Sequence, residues 1–127
     1  MTTAEAAAVY KAGACRVNTV GQTFNQVWQS GSGDVAGLQQ AAAASRDATS
    51  MTASELDKGK WPVELQADIA LVRDADFAQA SILAQIAIAP TWDSAMANAF
   101  PAQDDAAAAS QRIRSRLGLP ADPMAGC

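Results

Sequence analysis

The segment from Trp61 to Ala89 constrains this chain more than any other. Leu65, Ile69, Val72, Leu83 and Ile86 fall close to a 3.6-residue period, the spacing that gathers side chains on one helical face. Phe77 and Ala80 flank that face where the period lands on Asp76. Pro62 suits the first turn of a helix, where its missing N–H is not needed. Pro90 ends the element, because the residue before a proline is pushed out of the helical region. A helix of this length with so wide an apolar stripe needs partners. The spacing therefore predicts a central helix over 61–89 with the other helices packed around it.

The rest of the chain supplies those partners. Alanine makes up 31 of the 127 residues; it is the best helix former and lets helices approach closely. No stretch alternates apolar and polar residues over a strand's length. Thr2 with Glu5 fits a capping box, and a first helix follows to Gln29. Its expected core face is Val9, Val17, Val20, Phe24 and Val27, with Trp28 beside them. Gly13 and Gly21 inside it are read as points of close helix approach, a hinge being the alternative. Ser30-Gly31-Ser32-Gly33 is a turn, and Asp34 is a good N-cap for the second helix, Val35 to Lys58. The inward stripe there is Val35, Leu38, Ala42, Ser45, Thr49, Thr52 and Leu56. It is small and polar, so this helix is expected to contribute the least burial. Lys58-Gly59-Lys60 links it to the central helix.

After Pro90, Thr91 is the N-cap of a last helical region that begins at Trp92 and is interrupted by Pro101. Asp104 and Asp105 near its start and Arg112, Arg114 and Arg116 near its end complement the helix dipole. The arginines are otherwise read as solvated surface. Gly118-Leu119-Pro120 closes the helix, and the tail to Cys127 has no helical pattern.

Charge narrows the partners. The net charge is −4 with three lysines, a poor match for nucleic acid, where basic patches supply most of the affinity. No run of about 18 apolar residues lacks a polar interruption, so no segment is expected to span a bilayer. Met1-Thr2-Thr3-Ala4-Glu5 does not read as a signal peptide. The chain is therefore either cytosolic or preceded, in the cell, by an export signal.

The two cysteines bear on that choice. In an up-down arrangement the fourth helix ends near the start of the first. Cys15 then lies roughly 18–20 Å up the first helix at 1.5 Å per residue. The nine residues from Leu119 to Cys127 span at most about 30 Å, so the tail can reach Cys15. A Cys15–Cys127 disulfide is expected, with two free thiols as the alternative. It would place the protein in an oxidising compartment.

The stretches Cys15-Arg16-Val17-Asn18, Phe24…Val27-Trp28 and Arg114…Leu117-Gly118-Leu119-Pro120-Ala121-Asp122-Pro123…Gly126-Cys127, set in an alanine-rich bundle, resemble small envelope lipoproteins of actinobacteria of unknown function. The resemblance implies an extracellular or envelope location, with a lipid anchor upstream of the first residue. It implies no chemistry.

The residues themselves offer little chemistry. There is no histidine, which removes the usual general base and the serine–histidine and cysteine–histidine nucleophile systems. Two distant cysteines make no zinc-type cluster, and no phosphate-binding glycine loop is present. Asp76 is the one acid that the apolar period of the central helix passes through. A buried carboxylate needs a partner, and Arg16 is the candidate for an ion pair with it. A catalytic acid is the competing reading. Trp28, Trp61 and Trp92 lie near helix ends. They are read as caps on the core, or alternatively as contact residues for a partner.

The expected molecule is a single all-α domain over 1–127, an up-down-up-down four-helix bundle. Its last helix is broken or kinked at Pro101, and its tail is tied back by the disulfide. The expected function is non-enzymatic, with no cofactor: an exported or envelope-anchored bundle acting on an unknown protein partner or by structural packing. The alternative is a carrier of a small apolar ligand in a cavity lined by the central and second helices. A cytoplasmic helical subunit with free thiols is the third reading.

Overall fold

In the computed structural model, which describes residues 1–127, the chain forms five α-helices and a single 3-10 turn, with no strand. Helix α1 is Thr3–Gln29, α2 is Val35–Lys58, α3 is Gln66–Ala87, α4 is Trp92–Met96 and α5 is Asp104–Arg116. The Thr2 side chain accepts from the Glu5 N–H at the start of α1. The Asp34 side chain accepts from the Gly37 N–H at the start of α2. Each satisfies one of the N–H groups left free in a first helical turn. Thr91 and Ser94 form a reciprocal capping box on α4.

The central helix starts later than the period suggests. Pro62 is extended, at φ −51° and ψ 142°, and a 3-10 turn over Val63–Leu65 precedes α3. Trp61 therefore lies outside the helix. The last helical region is broken outright. Residues 97–103, which include Pro101, separate α4 from α5, and proline's missing N–H prevents the two from running on as one helix.

Two apolar clusters hold the helices together. One joins Ala6 and Tyr10 of α1, Leu56 of α2, Trp61, Leu65, Ile69 of α3, and Ile113 and Leu117 at the end of α5. The other joins Phe24 of α1, Leu38 and Ala42 of α2, Leu83 and Ile86 of α3, Ala89 and Ala95. The first half of α1 thus meets the second half of α2, and the reverse. Leu38, Leu83 and Ile86 are fully buried, each contributing about 1.5–3 kcal/mol of apolar transfer. Between the clusters lies a waist of small polar residues, Ser45, Thr49 and Thr52 of α2.

Helix α2 is not the weak element its composition suggests. It carries eight buried residues, more than any other helix. Its small side chains allow the close approach that larger ones would prevent. In α1 the buried face is Ala6, Tyr10, Gly13 and Phe24 rather than the valines. Gly13 is a point of close approach, but Gly21 faces open space. Helix α5 ends in a Schellman motif: Gly118 adopts φ +69°, its N–H donates to Ser115 O, and the Leu119 N–H donates to Arg114 O at 2.8 Å. That motif turns the chain back, and the tail runs to a Cys15–Cys127 disulfide with Cα atoms 5.5 Å apart.

Candidate cleft between three helices

Helix α1 lies against α2, α2 against α3 and α3 against α5, while α1 and α5 make no comparable approach. A cleft of about 390 Å³ opens there, between α1, α3 and α5, with the second half of α2 behind it. It lies on the side of α3 facing α1 and α5, with Thr52, Glu55 and Leu56 of α2 also in its lining. Val9 and Val17 of α1, Val72 and Ala75 of α3, and Ala106 and Ala107 of α5 supply its apolar lining. Val9 and Val17, expected in the core, are therefore half-buried cleft residues. Alanine side chains on α5 are too short to reach across and fill the gap. Pro123, in the tail held by the disulfide, lines the cleft too.

A hydrogen bond ties α1 to α5 across the cleft. The Tyr10 hydroxyl of α1 and the Ser110 hydroxyl of α5 lie 2.7 Å apart. Burial pushes the Tyr10 phenol above its ordinary value, partly offset by the Ser110 hydrogen bond. Gln103 Nε2 donates to Gln79 Oε1 at 3.0 Å along another part of the lining. Tyr10 and Ser110, a hundred residues apart, were not legible as a pair. The available signal was the spacing of Ala6, Tyr10 and Gly13, a second helical face that the valine stripe obscures.

Asp76 faces this cleft. It makes no hydrogen bond or ion pair with any protein group, and burial alone pushes its carboxyl up to about 7. Arg16 does not reach it. The Arg16 guanidinium instead donates to both Glu55 carboxylate oxygens at 3.1 Å and to Thr52 Oγ1 at 3.0 Å. Glu55 stands directly across the α1–α2 seam from Arg16, whereas Asp76 is on α3. Glu55, the other carboxylate lining the cleft, is thus neutralised. The cleft presents one free, poorly solvated carboxyl, a group suited to holding a cation or sharing a proton rather than to paired acid–base work.

The three arginines of α5 divide: Arg112 and Arg116 are exposed, as a solvated face would be, though each also bonds a neighbouring element, and Arg114 alone is buried. Arg112 grips Asp68 of α3 with three contacts of 2.8–3.2 Å, and this hydrogen bonding holds the Asp68 carboxyl below its ordinary value. Arg114 is buried and donates to the Pro120 and Asp122 carbonyls of the tail. Arg116 donates to Glu64 O at 2.7 Å. Asp68 lies in the first turn of α3, where an acid is already explained by the dipole, so its sequence position hides the pairing.

The tryptophans divide. Trp61 is only 5 % exposed and its Nε1–H donates to Leu56 O at 2.9 Å, so it fills the core and satisfies a carbonyl in the last turn of α2. A contact role for Trp61 is ruled out by that burial. Trp28 and Trp92 are half-buried against the Phe24 cluster, and Trp28 packs tilted against Phe24 and edge-on against Phe100, with centroids 5.6 and 5.7 Å away. No three metal-binding side chains converge anywhere. No helix is long and apolar enough to cross a membrane. No protein family matches the chain, and no curated protein or solved structure shows a match to it.

Proposed function

We propose that this protein is a non-enzymatic binding or packing protein of an oxidising compartment, exported or held at the cell envelope, with α1, α2, α3 and α5 running alternately up and down. The disulfide carries the reading. Cys15 and Cys127 are 112 residues apart in sequence, and the bond between them ties the tail to α1. Disulfides of this structural kind persist outside reducing cytosol. The similarity of the segments around Cys15 and Cys127 to actinobacterial envelope lipoproteins points the same way and suggests an upstream lipid anchor. Against an enzymatic role stand the absence of histidine and the pairing of Glu55 with Arg16, which leaves Asp76 without a second free carboxylate.

Fractionation of the source cells, with thiols trapped at lysis and the intact protein weighed, tests this. The expected result is oxidised protein in the envelope or medium, with the added mass of a lipid if it is anchored. A reduced pool in the cytosol would overturn the proposal. A second reading, small-molecule binding, is favoured by the cleft between α1, α3 and α5, whose volume falls in the usual range of ligand sites.

A further inference from the structure

We propose that the cleft between α1, α3 and α5 is a site for a small apolar amine, its ammonium on Asp76 and its hydrocarbon against the valine and alanine walls. This rests on the small-molecule reading and names the ligand class. Most polar groups of the cleft lining already have partners. Tyr10 pairs with Ser110, Gln79 with Gln103, and Glu55 with Arg16. Gln111 donates to Ala121 O. Asp76 has none of this, although it sits among Val72, Ala75 and Tyr10 in the same lining.

No resident cation can serve it. On α1, Arg16 is committed to Glu55, and the Lys11 ammonium lies against Gly126 of the tail. On α3, Arg73 bonds Asp57 and Asp74. On α5, Arg112 is held by Asp68 and Arg114 by tail carbonyls. The remaining titratable groups facing the cleft are Tyr10 and Glu55. A carboxylate desolvated without a partner is destabilised. A ligand cation restores the missing charge and adds a charge-assisted hydrogen bond. The Val9, Val17 and Val72 walls favour a hydrocarbon body and disfavour a fully hydrated ion such as free ammonium.

Three probes of one shape separate the possibilities: benzylamine, benzyl alcohol and benzoate. Each is titrated into the oxidised full chain while amide shifts are followed by NMR. At pH 8 the amine is expected to bind at least ten-fold more tightly than the alcohol, with shifts concentrated at Val17, Val72, Asp76 and Ala107. Benzoate should be excluded. Asp76→Asn, which is isosteric and removes the charge, should erase the amine's advantage over the alcohol. Lowering the pH to 5 should weaken the amine in the wild type and have no effect in the variant. Equal binding of amine and alcohol would overturn the amine class while leaving the cleft as a binding site. No cleft shift with any probe would overturn both.

Discussion

Gly13 of α1 and Thr52 of α2 approach so closely that a Cβ on the glycine would lie 2.9 Å from Thr52 Cγ2. Thr52 cannot turn away freely. Its χ1 is restricted by β-branching, and its hydroxyl accepts from Arg16 and donates to Gly13 O. Overpacking of this kind costs about 1–3 kcal/mol, more than the gain of up to about 1 kcal/mol from alanine's helix propensity. Gly13→Ala should therefore lower stability. Gly21 lies on the same helix with no atom within 4 Å of its notional Cβ, so Gly21→Ala should raise stability by about 0.5–1 kcal/mol. Urea unfolding of the two variants gives opposite signs. Equal signs would refute the close contact.

The disulfide should dominate the stability of the oxidised protein. Closing a loop of 112 residues removes unfolded-state entropy worth about 4.7 kcal/mol in the chain model. Cys15→Ser and Cys127→Ser should each lose roughly 3–5 kcal/mol by urea titration. Reduced wild type should match them. Because Pro123 lines the cleft, amide exchange around Ala106 and Ala107 should speed up in all three. Serine variants as stable as the oxidised protein would show that the tail is held by other contacts.

Trp61 gives a prediction at the other cluster. Trp61→Phe keeps most of the buried area but leaves Leu56 O without its donor, which costs about 1–3 kcal/mol at a buried carbonyl. Trp61→Ala adds a cavity and should cost about 3–5 kcal/mol. Trp28→Ala, at a half-buried position, should cost less than Trp61→Ala. Thermal unfolding of the three separates a core tryptophan from surface ones.

The helices were legible because their ends are written in local chemistry. Thr2, Asp34 and Thr91 act through side chains that bond their own first turns, and Gly118 through its own conformation. The disulfide was legible because two cysteines allow a single pairing within the chain. The stripe of α2 was legible residue by residue: Leu38, Ala42, Ser45, Thr49, Thr52 and Leu56 are all buried. What failed was the inference that a stripe of small residues contributes the least burial, since close approach of a partner helix buries small side chains completely. The cleft was not legible. Valines at Val9 and Val17 read as core whether or not a partner covers them, and whether α5 closes on α1 depends on where the break at Pro101 sends the chain. The Arg16 to Asp76 pairing failed for a related reason. Periodicity identified two residues that need partners, but only the register between helices decides that Glu55 is nearer.

The two shifted carboxyls predict an acid-side optimum of stability. Asp68 has its carboxyl held low by Arg112. Its contribution is present above its unfolded value of 3.8 and is lost as pH falls through the lower folded value. Asp76 works in the opposite sense. Its folded carboxyl titrates at about 7 against 3.8 unfolded. Between those values the native state binds the extra proton, so stability falls as pH rises, with the full loss reached above about 7. The loss is on the order of 4 kcal/mol. The melting temperature should thus peak between pH 4 and 5 and decline toward pH 8, set by the cited values. Asp76→Asn should flatten the decline, matching wild type near pH 4 and exceeding it at pH 8. Arg112→Gln should lower the melting temperature throughout the range above pH 4 and converge on the wild type as pH falls below it. A melting temperature that rises from pH 5 to 8 in the wild type would mean that Asp76 is solvated or paired in solution.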